Sequence, residues 1–140
     1  MNTRFKQFYI NIAKKTAQLS RAERLKVGAI IVKNNNIIAF GFNGTPSGWN
    51  NKCERETEDG LITVPEVIHA EMNCLYKLAK SNESGEGAAM FISHNPCFEC
   101  SKGIFMAGIS EVYYGEYYRC KKGLDFLKKC GIFVEKLRRN

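Results

Sequence analysis

Long apolar segments are missing from this sequence of 140 residues. No stretch approaches the roughly 20 apolar residues that a membrane-spanning helix needs. The N-terminal segment mixes charged with apolar side chains, and it lacks both the apolar centre and the cleavage site of a secretion signal. Internal repeats and low-complexity segments are absent as well. We therefore expect a cytoplasmic protein, cellular or viral in origin, that folds as one domain over residues 1–140.

A disulfide framework is also lacking, although the chain contains six cysteines. Their spacing is not that of a small stapled scaffold, and a domain of this size can bury a core without disulfides. We expect a reducing environment, with free thiols at Cys74, Cys120 and Cys130.

Acidic side chains are too few to balance the basic ones, and the formal net charge is +7. Much of the excess lies near the C-terminus, at Lys121, Lys122, Lys128, Lys129, Lys136, Arg138 and Arg139. A basic surface suits a phosphate-bearing partner, either a nucleotide or a nucleic acid. A solvated helix face explains the group at 121–129 more simply, and charge alone does not choose between a mononucleotide and RNA.

Metal ligands are predicted at His69, Cys97 and Cys100. Two residues separate the cysteines, a spacing that lets both sulfurs reach one ion, and the histidine supplies a nitrogen. Three protein ligands leave the fourth position of tetrahedral zinc to water, which is the pattern of a catalytic site. Bound zinc lowers the pKa of that water towards neutrality and makes hydroxide available as a nucleophile.

Glu71 stands two residues after the histidine and is the predicted catalytic residue. A carboxylate beside a zinc-bound water can take its proton and pass it to the substrate. The combination of His-x-Glu with Pro-Cys-x-x-Cys is the signature of zinc nucleobase deaminases. In that chemistry the amine-bearing ring carbon is attacked, and the carboxylate protonates the ring nitrogen and then the leaving ammonia.

Two other interpretations of these residues stay open. The histidine and the cysteine pair could form a structural zinc clip, with Cys74 or Cys53 as the fourth ligand. Alternatively, Cys97 and Cys100 could be a redox pair. Neither interpretation explains the glutamate two residues after His69 or the proline immediately before the first cysteine of the pair.

Apolar periodicity predicts an α/β fold. Strands are expected at 27–32, 37–42, 88–93, 109–114 and 132–137, and helices at 4–18, from Pro65 to about 80, at 97–107 and at 119–130. The first two strands should pair antiparallel through an Asn-rich turn, and the last strand–helix–strand unit implies a parallel pair. We expect a three-layer α/β/α sandwich, with a mixed five-stranded sheet and helices on both faces. The stretch at 50–64 is expected to be a surface loop or flap over the site.

Two loops contain candidate ligand contacts. The glycines at 41–48 let backbone approach a ligand closely. In that loop Asn43 could read a base or sugar edge, or it could stabilise the loop by bonding its own backbone. The linker at 20–26 carries cations that could hold a phosphate or could simply lie on the surface. His94 could line a pocket, but it is not assigned to the metal.

These stretches together resemble the deoxycytidylate (dCMP) deaminase family, within the cytidine deaminase-like zinc superfamily. The matching segments are Ser20-Arg21 with Arg24 and Val-Gly-Ala at 27–29, Gly-Phe-Asn-Gly-Thr-Pro-Ser-Gly at 41–48, His-Ala-Glu-Met-Asn at 69–73, and Pro-Cys-Phe-Glu-Cys at 96–100 with Gly-Ile at 108–109. The zinc motif identifies the superfamily, and the first two segments narrow it to the dCMP branch. The resemblance covers nearly the whole chain. It implies hydrolytic deamination of dCMP to dUMP, the precursor for thymidylate synthesis.

The resemblance also implies site residues. Zinc would bind His69, Cys97 and Cys100, with Glu71 as the proton shuttle. The implied substrate contacts are Asn43, Ala70, Arg24, Ser20 and Tyr117. The asparagine would face the base or sugar, and the alanine backbone would bond the base carbonyl. The arginine and the serine would meet the 5′-phosphate, and the tyrosine, or its neighbour Tyr118, would close the pocket.

Many members of this family are hexamers that dCTP activates together with Mg²⁺ and dTTP inhibits. The resemblance therefore implies a homo-oligomer, with a hexamer favoured, and an effector site at Gly41, Asn43 and Gly44. Some branches hold a second, structural zinc through a cysteine in the first motif. Ala22 stands at that position here, so we expect one zinc ion per subunit. Neither a membrane nor a nucleic acid is an expected partner.

Two other functions are alternatives. A tRNA adenosine deaminase of the same superfamily would suit the positive charge, whereas the loop at 41–48 resembles the nucleotide-specific branch. A non-catalytic, zinc-stapled binding module would leave Glu71 without a role.

Overall fold

The computed structural model describes residues 1–138, so Arg139 lies outside the described residues. The elements in chain order are α1 (Thr3–Ala17), β1 (Gly28–Lys33), β2 (Asn36–Phe42), β3 (Glu54–Thr57), β4 (Gly60–Thr63), α2 (Ala70–Ala79), β5 (Ala89–His94), α3 (Phe98–Met106), β6 (Glu111–Glu116), α4 (Lys122–Lys129) and β7 (Phe133–Lys136). Within the described chain, no helix has the length and apolar character needed to cross a bilayer.

Five strands form one mixed sheet in the order β2-β1-β5-β6-β7. Strand β1 pairs antiparallel with β2 on one side and with β5 on the other. The pairs β5–β6 and β6–β7 are parallel, and a helix connects the two strands of each pair. The predicted mixed five-stranded sheet is confirmed.

Helices cover both faces of this sheet, because alternate residues of the central strands are buried on opposite sides. In β1, Ile30 lies on the face covered by α1 and packs in one cluster with Tyr9 of α1 and Phe91 of β5. Its neighbour Ile31 lies on the opposite face of the sheet. That second face is covered by α2, α3 and α4, whose buried apolar residues include Leu75, Leu78, Ile104 and Leu127. The predicted three-layer α/β/α sandwich is therefore confirmed.

The stretch at 50–64 is not an irregular loop. Strands β3 and β4 form a separate antiparallel hairpin, in which Glu54 pairs with Thr63 and Thr57 with Gly60. All of its residues are exposed or only half-buried, so neither face imposes an alternating apolar pattern. The sequence therefore carried no strand signal. The prediction of an irregular loop was wrong, whereas the predicted surface position is confirmed.

Helix α2 begins later than the predicted start at Pro65. Gly44 and Ile68 exchange two backbone hydrogen bonds of 3.1 and 2.8 Å as an isolated antiparallel bridge. This bridge keeps the chain before His69 extended, so the histidine becomes the N-cap of the helix. The tertiary contact thus overrides the local preference of proline and glutamate for a first helical turn.

Two glycines allow the helices to approach the sheet closely. A Cβ atom on Gly28 would lie 2.2 Å from the Ala13 carbonyl oxygen and 2.4 Å from the Ala17 nitrogen, both in α1. On the other face, a Cβ on Gly41 would lie 2.5 Å from the Cys74 nitrogen and 2.7 Å from the Ala70 oxygen. The atoms that such a Cβ would meet belong to the backbone, which cannot move aside as a flexible side chain can.

Gly28→Ala should lower the free energy of unfolding by about 1–3 kcal/mol, because the added methyl group overpacks the contact with α1. Gly44→Ala is the matched control, since a Cβ there meets nothing within 4 Å. Its effect should stay within about 0.5 kcal/mol. Urea denaturation of both variants measures the difference. Equal destabilisation would contradict the proposed packing role of Gly28.

Candidate active site

Two helix starts meet at one end of the sheet and bring the predicted metal ligands together. His69 is the N-cap of α2, and Cys97 is the N-cap of α3, where its sulfur accepts the Cys100 backbone N–H at 3.4 Å. Both thiols therefore lie at the positive end of a helix dipole, which favours the thiolate form that binds metals.

The three donor atoms converge. The Nδ1 atom of His69 lies 3.3 Å from Cys100 Sγ and 3.5 Å from Cys97 Sγ. All three donor atoms lie within 4.8 Å of one another. Zinc with ordinary Zn–N and Zn–S bonds in a tetrahedral arrangement would hold nitrogen and sulfur about 3.5 Å apart. The residues present therefore fit zinc without rearrangement.

Protonation in the cluster also favours a metal. A hydrogen bond from the Cys100 thiol and contact with the His69 ring together lower the pKa of Cys97 to about 4, although partial burial acts in the opposite direction. The same thiol pair, with burial, raises the pKa of Cys100. The sulfur of Cys97 raises the pKa of His69. A thiolate is thus available for the ion, and binding would release the remaining protons.

Glu71 lies in the first turn of α2 and lines the cavity beside the donor cluster without belonging to it. Its side chain is only 4% exposed. Burial raises the pKa of this carboxyl to about 7, although its own backbone N–H and the His69 ring act in the opposite direction. A buried carboxyl with such a pKa can both accept and donate a proton near neutrality.

The closed zinc clip is not supported by this geometry. Within residues 1–138, neither Cys74 nor Cys53 belongs to the donor cluster. Cys74 lies on the core-facing side of α2, where its thiol is fully buried and burial raises its pKa to about 12. Cys53 lies in the cavity wall before the hairpin and is almost fully buried. The fourth metal position thus lacks a cysteine.

A cavity of about 270 Å³ opens beside the donor cluster. Its walls come from the linker after α1, the hairpin, the start of α2 and the loops after β5 and β6. Of the predicted site residues, those that line it are Arg24, Asn43, His69, Ala70, Glu71 and Cys97. Those that do not line it are Ser20, Gly41, Gly44, Cys100 and Tyr117.

Asn43 is largely committed to the protein. Its Oδ1 accepts the Val27 backbone N–H at 2.9 Å, and its Nδ2 donates to the Leu25 carbonyl at 2.8 Å. The buried Ser20 hydroxyl donates to the Asn43 carbonyl at 2.7 Å. The Asn43 side chain thus binds the backbone of the preceding linker rather than that of its own loop. It keeps a second amide hydrogen and a lone pair for a ligand. Ser20 is buried and does not line the cavity, so its hydroxyl cannot contact a phosphate there directly.

The hairpin holds Arg24 at the cavity. The Glu54 carboxylate accepts the backbone N–H groups of Glu23 and Arg24 at 2.9 and 3.0 Å. The Arg24 guanidinium donates to the Thr63 hydroxyl at 3.1 Å. Arg24 is exposed, so its remaining donors are free to meet an anion.

The aromatic residue at the cavity is Tyr118, so the selection of Tyr117 over its neighbour was wrong. Tyr117 is exposed, and its hydroxyl donates to the Arg119 carbonyl at 3.1 Å. Tyr118 lines the cavity, and its ring meets the His94 ring edge-on at a centroid distance of 6.2 Å. Adjacent residues point in different directions, and the sequence gives no sign of which one faces the ligand.

The two candidate effector glycines differ in their surroundings. Gly41 is buried against α2, with no room for even a methyl group. Gly44 has open space around its Cα, although its N–H and carbonyl are both occupied by the bridge to Ile68.

Sequence reasoning missed several residues of the cavity wall, namely Glu54, Thr63, Asn95 and Arg119. Asn95 directly precedes the Pro-Cys motif, which was a usable signal of proximity. The others come from segments without periodicity, and their positions depend on tertiary hydrogen bonds.

Residues 3–116 match the model of the cytidine and deoxycytidylate deaminase zinc-binding region. The chain belongs to this family. The family assignment covers both helix starts, the loop at 41–48 and β6, and it agrees with the geometry of the donor cluster.

Individual deaminases show the same relationship. The chain is 32% identical to the deoxycytidylate deaminase of Enterobacteria phage T4 over 165 residues, which covers 89% of this chain and 86% of that protein. It is 48% identical to the dCMP deaminase of the cyanophage S-TIM5, whose crystal structure contains dCMP and dUMP. That structure superposes with a TM-score of 0.92 and covers 98% of this chain and 99% of its own.

More distant structures share the fold alone. The diaminohydroxyphosphoribosylaminopyrimidine deaminase/5-amino-6-(5-phosphoribosylamino)uracil reductase of Thermotoga maritima is 22% identical with a TM-score of 0.74, and the match covers 95% of this chain and 36% of that chain. The deaminase fold of this chain is therefore common to enzymes with different substrates.

Cys100→Ala should remove most of the zinc from the purified protein, because the two remaining ligands cannot hold the ion. Cys74→Ala and Cys53→Ala should leave the zinc content unchanged. Elemental analysis by mass spectrometry, normalised to protein, measures all three variants. Loss of zinc from either control variant would instead support a closed structural site with four protein ligands.

Proposed function

We propose that this protein is a zinc-dependent hydrolase that deaminates dCMP to dUMP and so supplies the precursor for thymidylate synthesis. The observation that carries the proposal is the open His-Cys-Cys cluster with the buried Glu71 carboxyl beside it in one cavity. The deoxycytidylate deaminases among its relatives, and the cyanophage enzyme with dCMP and dUMP, support the choice of substrate.

His69, Cys97 and Cys100 would hold the ion. When bound, zinc supplies Lewis acidity that lowers the pKa of water at its open coordination position. Glu71 takes a proton from the attacking water and delivers it to N3 of the cytosine ring as the new C4–O bond forms. It then passes the second proton to the amino group, the C4–N bond breaks, and ammonia leaves with dUMP as the other product.

Substrate binding follows from the cavity wall. Ala70 is the first residue of α2, so its backbone N–H has no acceptor within the helix and can donate to the base carbonyl. The free amide hydrogen of Asn43 can meet the base or sugar. Arg24, fixed by Glu54 and Thr63, provides a cation for the 5′-phosphate.

The proposal extends to one zinc ion per subunit, to hexameric assembly and to control by dCTP with Mg²⁺ and by dTTP. The family resemblance supports these extensions. Of the residues implied for effector binding, Gly44 offers open space, whereas Gly41 is closed by α2.

Glu71→Gln should lower kcat for ammonia release from dCMP by about 10²- to 10⁴-fold, because the amide cannot shuttle a proton. Zinc content should stay at the wild-type level. Glu99→Gln is a matched control, since Glu99 also stands two residues after a metal ligand but is exposed and paired with Lys102 at 2.8 Å. Near wild-type turnover by the Glu71 variant would contradict the proton-shuttle role of Glu71.

A further inference from the structure

Arg119 has an unusual backbone conformation in the loop after β6. Three non-glycine residues within 1–138 have a positive φ, and two of them, Asn34 and Asn35, form the turn between β1 and β2. Asparagine tolerates that conformation, whereas arginine has no such preference. The φ of Arg119 is 59°. A strained residue persists only where its surroundings enforce it, and such residues concentrate at functional sites.

Asn95 enforces this conformation from both sides. Its Nδ2 donates to the Cys120 carbonyl at 3.0 Å, and its Oδ1 accepts the backbone N–H of Tyr118. The two bonds grip the residues immediately before and after Arg119. Asn95 is itself fixed, because its backbone N–H donates to the Glu116 carbonyl at 3.1 Å and its side chain is buried.

Two further hydrogen bonds close the loop around the arginine. The Tyr117 hydroxyl donates to the Arg119 carbonyl at 3.1 Å, and the Cys120 backbone N–H donates to the Tyr118 carbonyl at 2.8 Å. The exposed Tyr117 therefore contributes through the loop backbone, although it does not reach the cavity. The left-handed conformation of Arg119 is fixed by four contacts in total.

The guanidinium of Arg119 is also oriented. Its central carbon lies 4.9 Å from the centroid of the Tyr118 ring, and that ring meets His94 edge-on. Stacking on an aromatic face leaves the in-plane N–H donors of arginine free. Arg119 and Arg24 line the same cavity, and within the described residues neither forms a salt bridge with a carboxylate.

We propose that Arg119 is a second cationic ligand, with Arg24, for the substrate's 5′-phosphate, and that Asn95 is the positioning residue that sets it. The proposal rests on the proposed function. A phosphate monoester carries a charge of about −1.5 to −2 near pH 7, which two guanidinium groups match. Each arginine comes from a different wall of the cavity, one held by the Glu54 carboxylate and the other by the Asn95 amide. This contact between the two arginines and the phosphate favours a nucleotide over a nucleoside as substrate.

The decisive variant is Arg119→Gly. Glycine adopts a positive φ without strain, so the loop keeps its shape while the guanidinium is lost. The ratio of kcat/KM for dCMP to kcat/KM for deoxycytidine should fall roughly 10- to 150-fold, as expected for loss of a charge-assisted hydrogen bond. Arg24→Ala should lower the same ratio. Lys121→Ala, which removes an exposed neighbouring cation outside the cavity wall, should leave the ratio unchanged.

Asn95→Ala tests the positioning role, because it removes both side-chain bonds to the residues that flank Arg119 without adding a charge to the cavity. The ratio should fall through a higher KM for dCMP. Combining Asn95→Ala with Arg119→Gly should add no further loss of the ratio, because both changes act on one contact. A purely structural role would instead lower turnover of both substrates equally and would add to the effect of Arg119→Gly.

The outcomes separate this inference from the proposed function. Wild-type protein that releases no ammonia from dCMP would remove the proposed function, and this inference with it. Wild-type protein that is active on dCMP, together with an Arg119→Gly variant of unchanged ratio, would overturn this inference alone.

Discussion

The site depends on one arrangement, in which three donor atoms converge at the starts of two helices. Because His69 and Cys97 are N-caps, the nitrogen and both sulfurs reach one point, with N···S distances of 3.3 and 3.5 Å. The same helix ends stabilise thiolate and leave the Ala70 amide without an acceptor in its helix. One arrangement of backbone thus provides the metal ligands, their protonation state and a donor for the substrate.

This convergence requires the sheet and the helices to lie very close together. Gly41 lets β2 touch the backbone of α2, and the bridge between Gly44 and Ile68 stops α2 from beginning earlier. The cavity wall is built differently, from a hairpin and a loop with little buried apolar surface. Buried or half-buried polar side chains hold these segments, Glu54 on one wall and Asn95 on the other. The donor cluster is therefore held by close packing between helices and sheet, whereas the cavity wall is held by side-chain hydrogen bonds.

The sequence was sufficient where the chemistry is local. The spacing of His69, Glu71 and the cysteine pair predicted the metal cluster, and alternating apolar residues predicted the sheet. It was insufficient where position depends on distant partners. The exposed hairpin has no apolar period, and the direction of Tyr118 rather than Tyr117 follows from bonds to Asn95. The positive φ of Arg119 leaves no trace in composition, because only the folded chain shows what enforces it.

Ammonia release by zinc-loaded wild-type protein is the sharpest test of dCMP deamination. The assay compares dCMP, deoxycytidine, CMP and dCTP at equal concentration, with dUMP measured separately by chromatography. We expect dCMP to be turned over with the highest kcat/KM and one dUMP to form for each ammonia. No release from dCMP by protein that retains its zinc would contradict this expectation and would direct attention to an RNA substrate or to a binding role.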